Sequence, residues 1–147
     1  MADLDLTQDE AEALIAMEKQ RVDDRTWLFA ARERCAIPLT SVDKRENFIL
    51  DLNRYQIKIT KATYQNRARQ ALILMRLDID GPPHWNPDGE EIPCPHLHIY
   101  REGYGDKWAI PAPADRYPDT GDLWATFEAF MQHCNITVPP TFEVGLF

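Results

Sequence analysis

Ala71–Asp80 reads ALILMRLDID, and the period of this stretch decides the fold. Ile73, Met75, Leu77 and Ile79 take alternate positions, with Leu72, Leu74, Arg76 and Asp78 between them. A period of two belongs to a strand, whose side chains point alternately to its two faces. The first set predicts a core face, which leaves Arg76 and Asp78 on the other.

The same period recurs on both sides. In NFILDLNR (47–54), Phe48, Leu50 and Leu52 alternate with Ile49, Asp51 and Asn53; in QIKITKATY (56–64), Ile57 and Ile59 alternate with Lys58 and Thr60. Downstream, HLHIYR (96–101) and KWAIPA (107–112) read as strands joined by EGYGD, with Gly103 and Gly105 supplying positive φ for a hairpin turn. Trp27–Ala31 and Ile37–Val42 are expected to be extended, Pro38 marking an edge. A helix is predicted from about 8 to 22: Thr7 is its N-cap, Glu10 completes a capping box, and Ala11, Leu14, Ile15 and Val22 follow at helical spacing. A second lies in DTGDLWATFEAFMQHCN (119–135), capped by Asp119, with Leu123, Phe127, Phe130 and Cys134 as its buried stripe. The expected fold is α+β: an N-terminal helix, a curled antiparallel sheet of about five to six strands, and a C-terminal helix packed on one face.

At 147 residues the chain predicts a single domain, 1–147. Its formal net charge of -8 disfavours broad phosphate binding, which needs a basic surface. The acids crowd the ends, however, and YQNRARQ (64–70) carries two arginines and no acid. Three widely spaced cysteines suit reduced thiols. No apolar run reaches a membrane span, and the acidic opening is unlike a signal peptide, so a cytoplasmic location and no membrane partner are the expectations.

The chemistry concentrates in CPHLHIYREGYGDKWAIP, Cys94–Pro111. With Leu97 and Ile99 facing the core, His96, His98 and Tyr100 project to the other side, with Cys94 in register and Arg76 and Asp78 beside them if the strands pair. His84 and Asn86 belong to the proline-dense loop GPPHWNPDGEEIPCP (81–95), which turns at Pro87-Asp88-Gly89. Three readings follow. Polar side chains on a strand face can simply be solvated. Cys94, His96 and His98 can ligate Zn²⁺ or Fe²⁺, and Gly89, His96, His98 and Glu102 approximate the first metal motif of the cupins. Without metal or cofactor, His96 and His98 can move the protons of RNA cleavage. Arg76 and Lys107 then hold the phosphate, with Tyr100 in the catalytic set. Arg67, Arg101, Tyr104 and the His84–Asp88 loop with Asn86 bind substrate, tyrosines stacking on bases.

RLDIDGPPH-NPDG and HLHIYREGYGDKWA carry a resemblance that runs nearly end to end. The chain resembles a family of small bacterial proteins of unknown function found among prophages, plasmids and genomic islands. That context implies a toxin of a toxin–antitoxin pair, a defence component or an inhibitor of a host system such as an anti-CRISPR. The leading expectation is therefore a toxin-like ribonuclease acting on RNA. The alternatives are a non-catalytic acidic protein docking on a basic host protein, complex or antitoxin, and a metal-binding protein.

Overall fold

A computed structural model describes residues 5–145, and they form an α+β domain. The first helix, α1, spans Gln8–Ala16 and begins as its sequence dictates: Thr7 Oγ1 accepts from the Glu10 N–H at 3.1 Å, and the Glu10 carboxylate accepts from the Thr7 N–H at 2.9 Å. It stops six residues short of the expected 22. Lys19–Arg21 instead form strand β1, because Lys19 is wholly buried with its ammonium donating to the carbonyls of Ile15, Met17 and Cys134 at 2.7–2.9 Å. Val22, assigned to the apolar stripe, is 48% exposed.

One short strand, β2 (Thr26–Phe29), and three long ones, β3 (Arg34–Ser41), β4 (Asn47–Arg54) and β5 (Ala62–Ala68), follow, then β6 (Leu72–Ile79). The lid pair is β7 (His84–Trp85) and β8 (Glu91–Ile92); β9 (His96–Ile99) and β10 (Ala109–Pro111) flank the EGYGD turn. Helix α2 (Leu123–His133) precedes β11 (Ile136–Val138) and β12 (Thr141–Val144). The main sheet has eight strands in the order β10-β9-β6-β5-β4-β3-β1-β11, not five to six. It is mixed rather than antiparallel, because β11 lies parallel to β1. Pro38 tolerates its place in β3 because β1 pairs only from Leu39 onward, leaving Pro38 paired on one side, to β4.

One sheet face is apolar. Leu50, Leu52, Tyr64, Leu77 and Leu97 are fully buried on it, and Tyr64 meets Phe127 of α2 with ring centroids 4.7 Å apart. Each such side chain contributes about 2 kcal/mol on leaving water. The cap of α2 is Asp122, whose Oδ1 accepts from the Ala125 N–H at 3.0 Å; Asp119, the expected cap, serves the turn before it by accepting from the Gly121 N–H. The alternation in ALILMRLDID holds for Met75, Leu77 and Ile79 but breaks upstream. The β5–β6 register shifts so that Asn66 pairs with Met75 and Arg67 with Ile73; Leu74 is the extra residue and becomes buried in place of Ile73.

The other face carries Arg76 and Asp78 as the alternation predicts, but it is not left open. The 80–95 loop folds over its β9 end as a small hairpin in which His84 pairs with Ile92 and Trp85 with Glu91. Asn86 fastens the hairpin down: its carboxamide accepts from the Ala109 N–H at 2.8 Å and donates to the Ala109 carbonyl at 2.9 Å. That bond pair also blunts the β10 edge of the sheet, where Pro111 offers no donor. No helix among the described residues is long and apolar enough to cross a membrane.

Candidate functional site

The β6–β9 register brings the site together. Arg76 lies across from His98 and Asp78 across from His96, all four on the face beneath the hairpin. His98 and His96 side chains are 0% and 3% exposed, so the pair is covered and the reading of a merely solvated face does not hold. Asp78 Oδ2 is the hub: His96 Nε2 lies 3.0 Å from it, His98 Nε2 3.2 Å, and Arg76 Nε 3.3 Å. Its other oxygen accepts from Thr63 Oγ1 at 3.1 Å. Arg76 is held in turn by Asp106, whose Oδ2 accepts from Nη1 at 2.8 Å. One guanidinium faces two carboxylates, a negative balance before the imidazoles are counted.

Donor chemistry assigns the imidazole protons. His98 Nδ1 faces the Asp106 backbone carbonyl at 2.8 Å and must donate to it. Its Nε2 is then a lone pair, which accepts from Arg76 Nη2 at 3.0 Å. The same lone pair faces Asp78 Oδ2, so two acceptors meet with no proton between them. His96 donates from Nε2 to Asp78, and its Nδ1 lies 3.6 Å from Cys94 Sγ. Burial pushes the Asp78 carboxyl up, but the hydrogen bond from His96 and then the Arg76 charge outweigh it. The group is held well below the usual carboxylate range.

The three ligand-capable atoms of Asp78, His96 and His98 lie within 4.8 Å of one another. Cys94, expected in that set, stands outside it: its thiol donates to the Pro82 carbonyl, and burial raises its pKa. A cavity of about 250 Å³ opens beside the cluster, with Tyr55, Lys61, Thr63, His84 and Cys94 also on its wall.

The remaining expected residues divide. His84 joins the cluster, its ring 4.5 Å from that of His98 and its Nε2 donating to the Lys107 carbonyl at 2.7 Å. Lys107 itself contributes that backbone oxygen, and its side chain is exposed and does not line the cavity. Tyr100 is displaced from the site, because β9 ends at Ile99 and the next residue turns into the core, where its hydroxyl accepts from the Leu6 N–H at 2.7 Å. Arg67 binds Asp51 through Nε and Nη2 at 2.7 and 2.9 Å, two strands away from the histidines. Asn86 is spent on Ala109, and Asp88 on the Glu90 N–H inside its turn. Arg101 and Tyr104 gather on Trp108 instead, the guanidinium 4.1 Å over the indole and the phenol ring 5.7 Å away edge-on. The residues missed were Asp106 and Thr63. Thr63 shares the parity of Asp78 on a paired strand, but no periodicity places a residue that follows a turn, as Asp106 does.

Fold and site thus define a small α+β protein with a buried imidazole–carboxylate–guanidinium cluster at the wall of a cavity. The chain belongs to a family of unknown function, DUF6978, whose model matches residues 6–136. No curated protein and no solved structure matches it.

Proposed function

We propose that the chain binds a divalent transition metal, zinc or ferrous iron, through Asp78, His96 and His98, and uses it on a small substrate in the adjoining cavity. The contact that carries this reading is His98 Nε2 against Asp78 Oδ2 at 3.2 Å, two acceptors facing each other at ligand spacing. The Arg76 guanidinium now spans the two, from Nη2 to His98 and from Nε to Asp78, and a divalent cation taking its place would coordinate both. The surroundings suit it: the Nδ1–H of His98 is anchored on a backbone carbonyl, which fixes the ring with Nε2 outward, and Thr63 steadies the carboxylate. Two imidazoles and one carboxylate leave coordination positions for water and substrate, as catalytic sites do. The negative balance favours a cation over a phosphate.

That charge and the engagement of both His98 nitrogens weigh against a metal-free ribonuclease in which His96 and His98 share the proton transfers. A toxin-like or host-inhibiting role on a mobile element remains a setting for the metal site rather than a rival chemistry. The test is metal analysis of protein purified without chelator. The wild type should carry near-stoichiometric zinc or iron, and Asp78→Asn should carry almost none while melting cooperatively. Equal, trace metal in both would defeat the reading and return attention to a docking protein.

A further inference from the structure

A second cavity, of about 410 Å³, lies at the β9–β10 edge near the start of α1, apart from the metal ligands. Leu97, Ile99, Ala109 and Ile110 line it, together with Arg101 and Trp108. Two of its polar groups lack partners among the described residues. The Trp108 Nε1–H is buried with no acceptor, an arrangement that costs about 1–3 kcal/mol unless something fills the role. The Arg101 guanidinium stacks on the same indole at 4.1 Å and forms no ion pair with an acid among the described residues. A buried donor without an acceptor and an exposed guanidinium without a paired acid among the described residues thus share one cavity of small-molecule size.

We infer that this cavity binds a small apolar monocarboxylate, its carboxylate accepting from Trp108 Nε1 and Arg101 and its hydrocarbon body resting on Leu97, Ile99 and Ile110. One negative charge is the limit. Glu90 also lines the cavity, so a dianion such as a phosphate monoester would face it, and the protein as a whole carries a net charge of -8. The pocket shares Asn86 and Ala109 with the hairpin anchor, so its occupancy bears on the lid, but binding needs no metal.

The probes are phenylacetate and its uncharged isostere phenylacetamide, titrated calorimetrically into the full chain with excess EDTA. Phenylacetate should bind saturably with a Kd of about 1 mM or tighter, within reach of a ligand of this size, and quench tryptophan fluorescence. Phenylacetamide should bind at least ~10-fold more weakly, as loss of a charge-assisted contact implies. Arg101→Met, which keeps the stem over Trp108, should weaken phenylacetate by a similar factor. Trp108→Phe should also weaken it and abolish the quench. No saturable binding, equal binding of the amide, indifference to Arg101→Met in a protein that melts like wild type, or binding that appears only when EDTA is left out would each overturn the assignment. The last would place the ligand on the metal.

Discussion

His98 and Arg76 stand opposite each other on β9 and β6, and the guanidinium donates from Nη2 to the imidazole Nε2 at 3.0 Å. A fixed cation therefore already occupies the lone pair that the proposed metal ion would need. Metal entry has to move Nη2 aside, while Nη1 keeps its bond to Asp106.

Removing the competitor should strengthen metal binding. Two charges about 4 Å apart interact by roughly 4 kcal/mol at an effective dielectric of 20, and part of that is lost to solvent and Asp106. Arg76→Gln is expected to tighten Co²⁺ or Zn²⁺ by ten-fold or more in a competition assay with a chromophoric chelator. Weaker binding in Arg76→Gln would show that Arg76 supports the site instead of guarding it.

Lys19 should prove structural. Burial pulls its pKa down to about 8, so it stays charged at neutral pH, donating to three carbonyls where the ends of α1 and α2 meet. Those termini carry partial negative charge. Lys19→Met fills similar volume but strands three acceptors, and a loss of about 3 kcal/mol is expected from denaturant titration.

His133 predicts part of the acid sensitivity. Burial, then the Arg116 charge, lowers its pKa to about 4, and its Nδ1 lies 2.8 Å from the Tyr117 hydroxyl. In the unfolded chain it titrates near 6.5. Between those values the unfolded state binds the extra proton, so stability falls as pH drops from about 6.5 toward 4 and is unaffected above that window. A Tm–pH profile of His133→Gln should be flatter there than that of the wild type, and parallel profiles would contradict the assignment.

Asn86 guards an edge. Asn86→Ala frees the Ala109 N–H and carbonyl on β10 and loosens the hairpin over the histidines. A loss of about 1–2 kcal/mol is expected, with self-association on size exclusion as the exposed edge finds a partner. A variant as stable as wild type that elutes at the same volume would mean the hairpin is held elsewhere.

Much of this was legible in the chain because it depends on local rules. The Thr7–Glu10 box, the alternation around Leu77 and the Gly103–Gly105 turn each follow from a few neighbouring residues. Arg76, Asp78, His96 and His98 fell on one face by parity alone. What was hidden depended on distant partners. Helix α1 ends early because Cys134, 115 residues away, accepts from Lys19. The bulge at Leu74 is set by the pairing with β5. A proline-rich loop reads as stiff, but only its bond to Ala109 shows that it covers the histidines. Tyr100 shares their parity and would have stayed with them had β9 run one residue further.

The most direct measurement is a Co²⁺ titration of the full chain, followed by its visible d–d spectrum and repeated with Asp78→Asn and His98→Gln. The account predicts one equivalent bound by the wild type, with a saturating spectrum, and none by either variant at the same concentration. A featureless spectrum for the wild type, or undiminished binding in both variants, would contradict a metal centre at Asp78, His96 and His98.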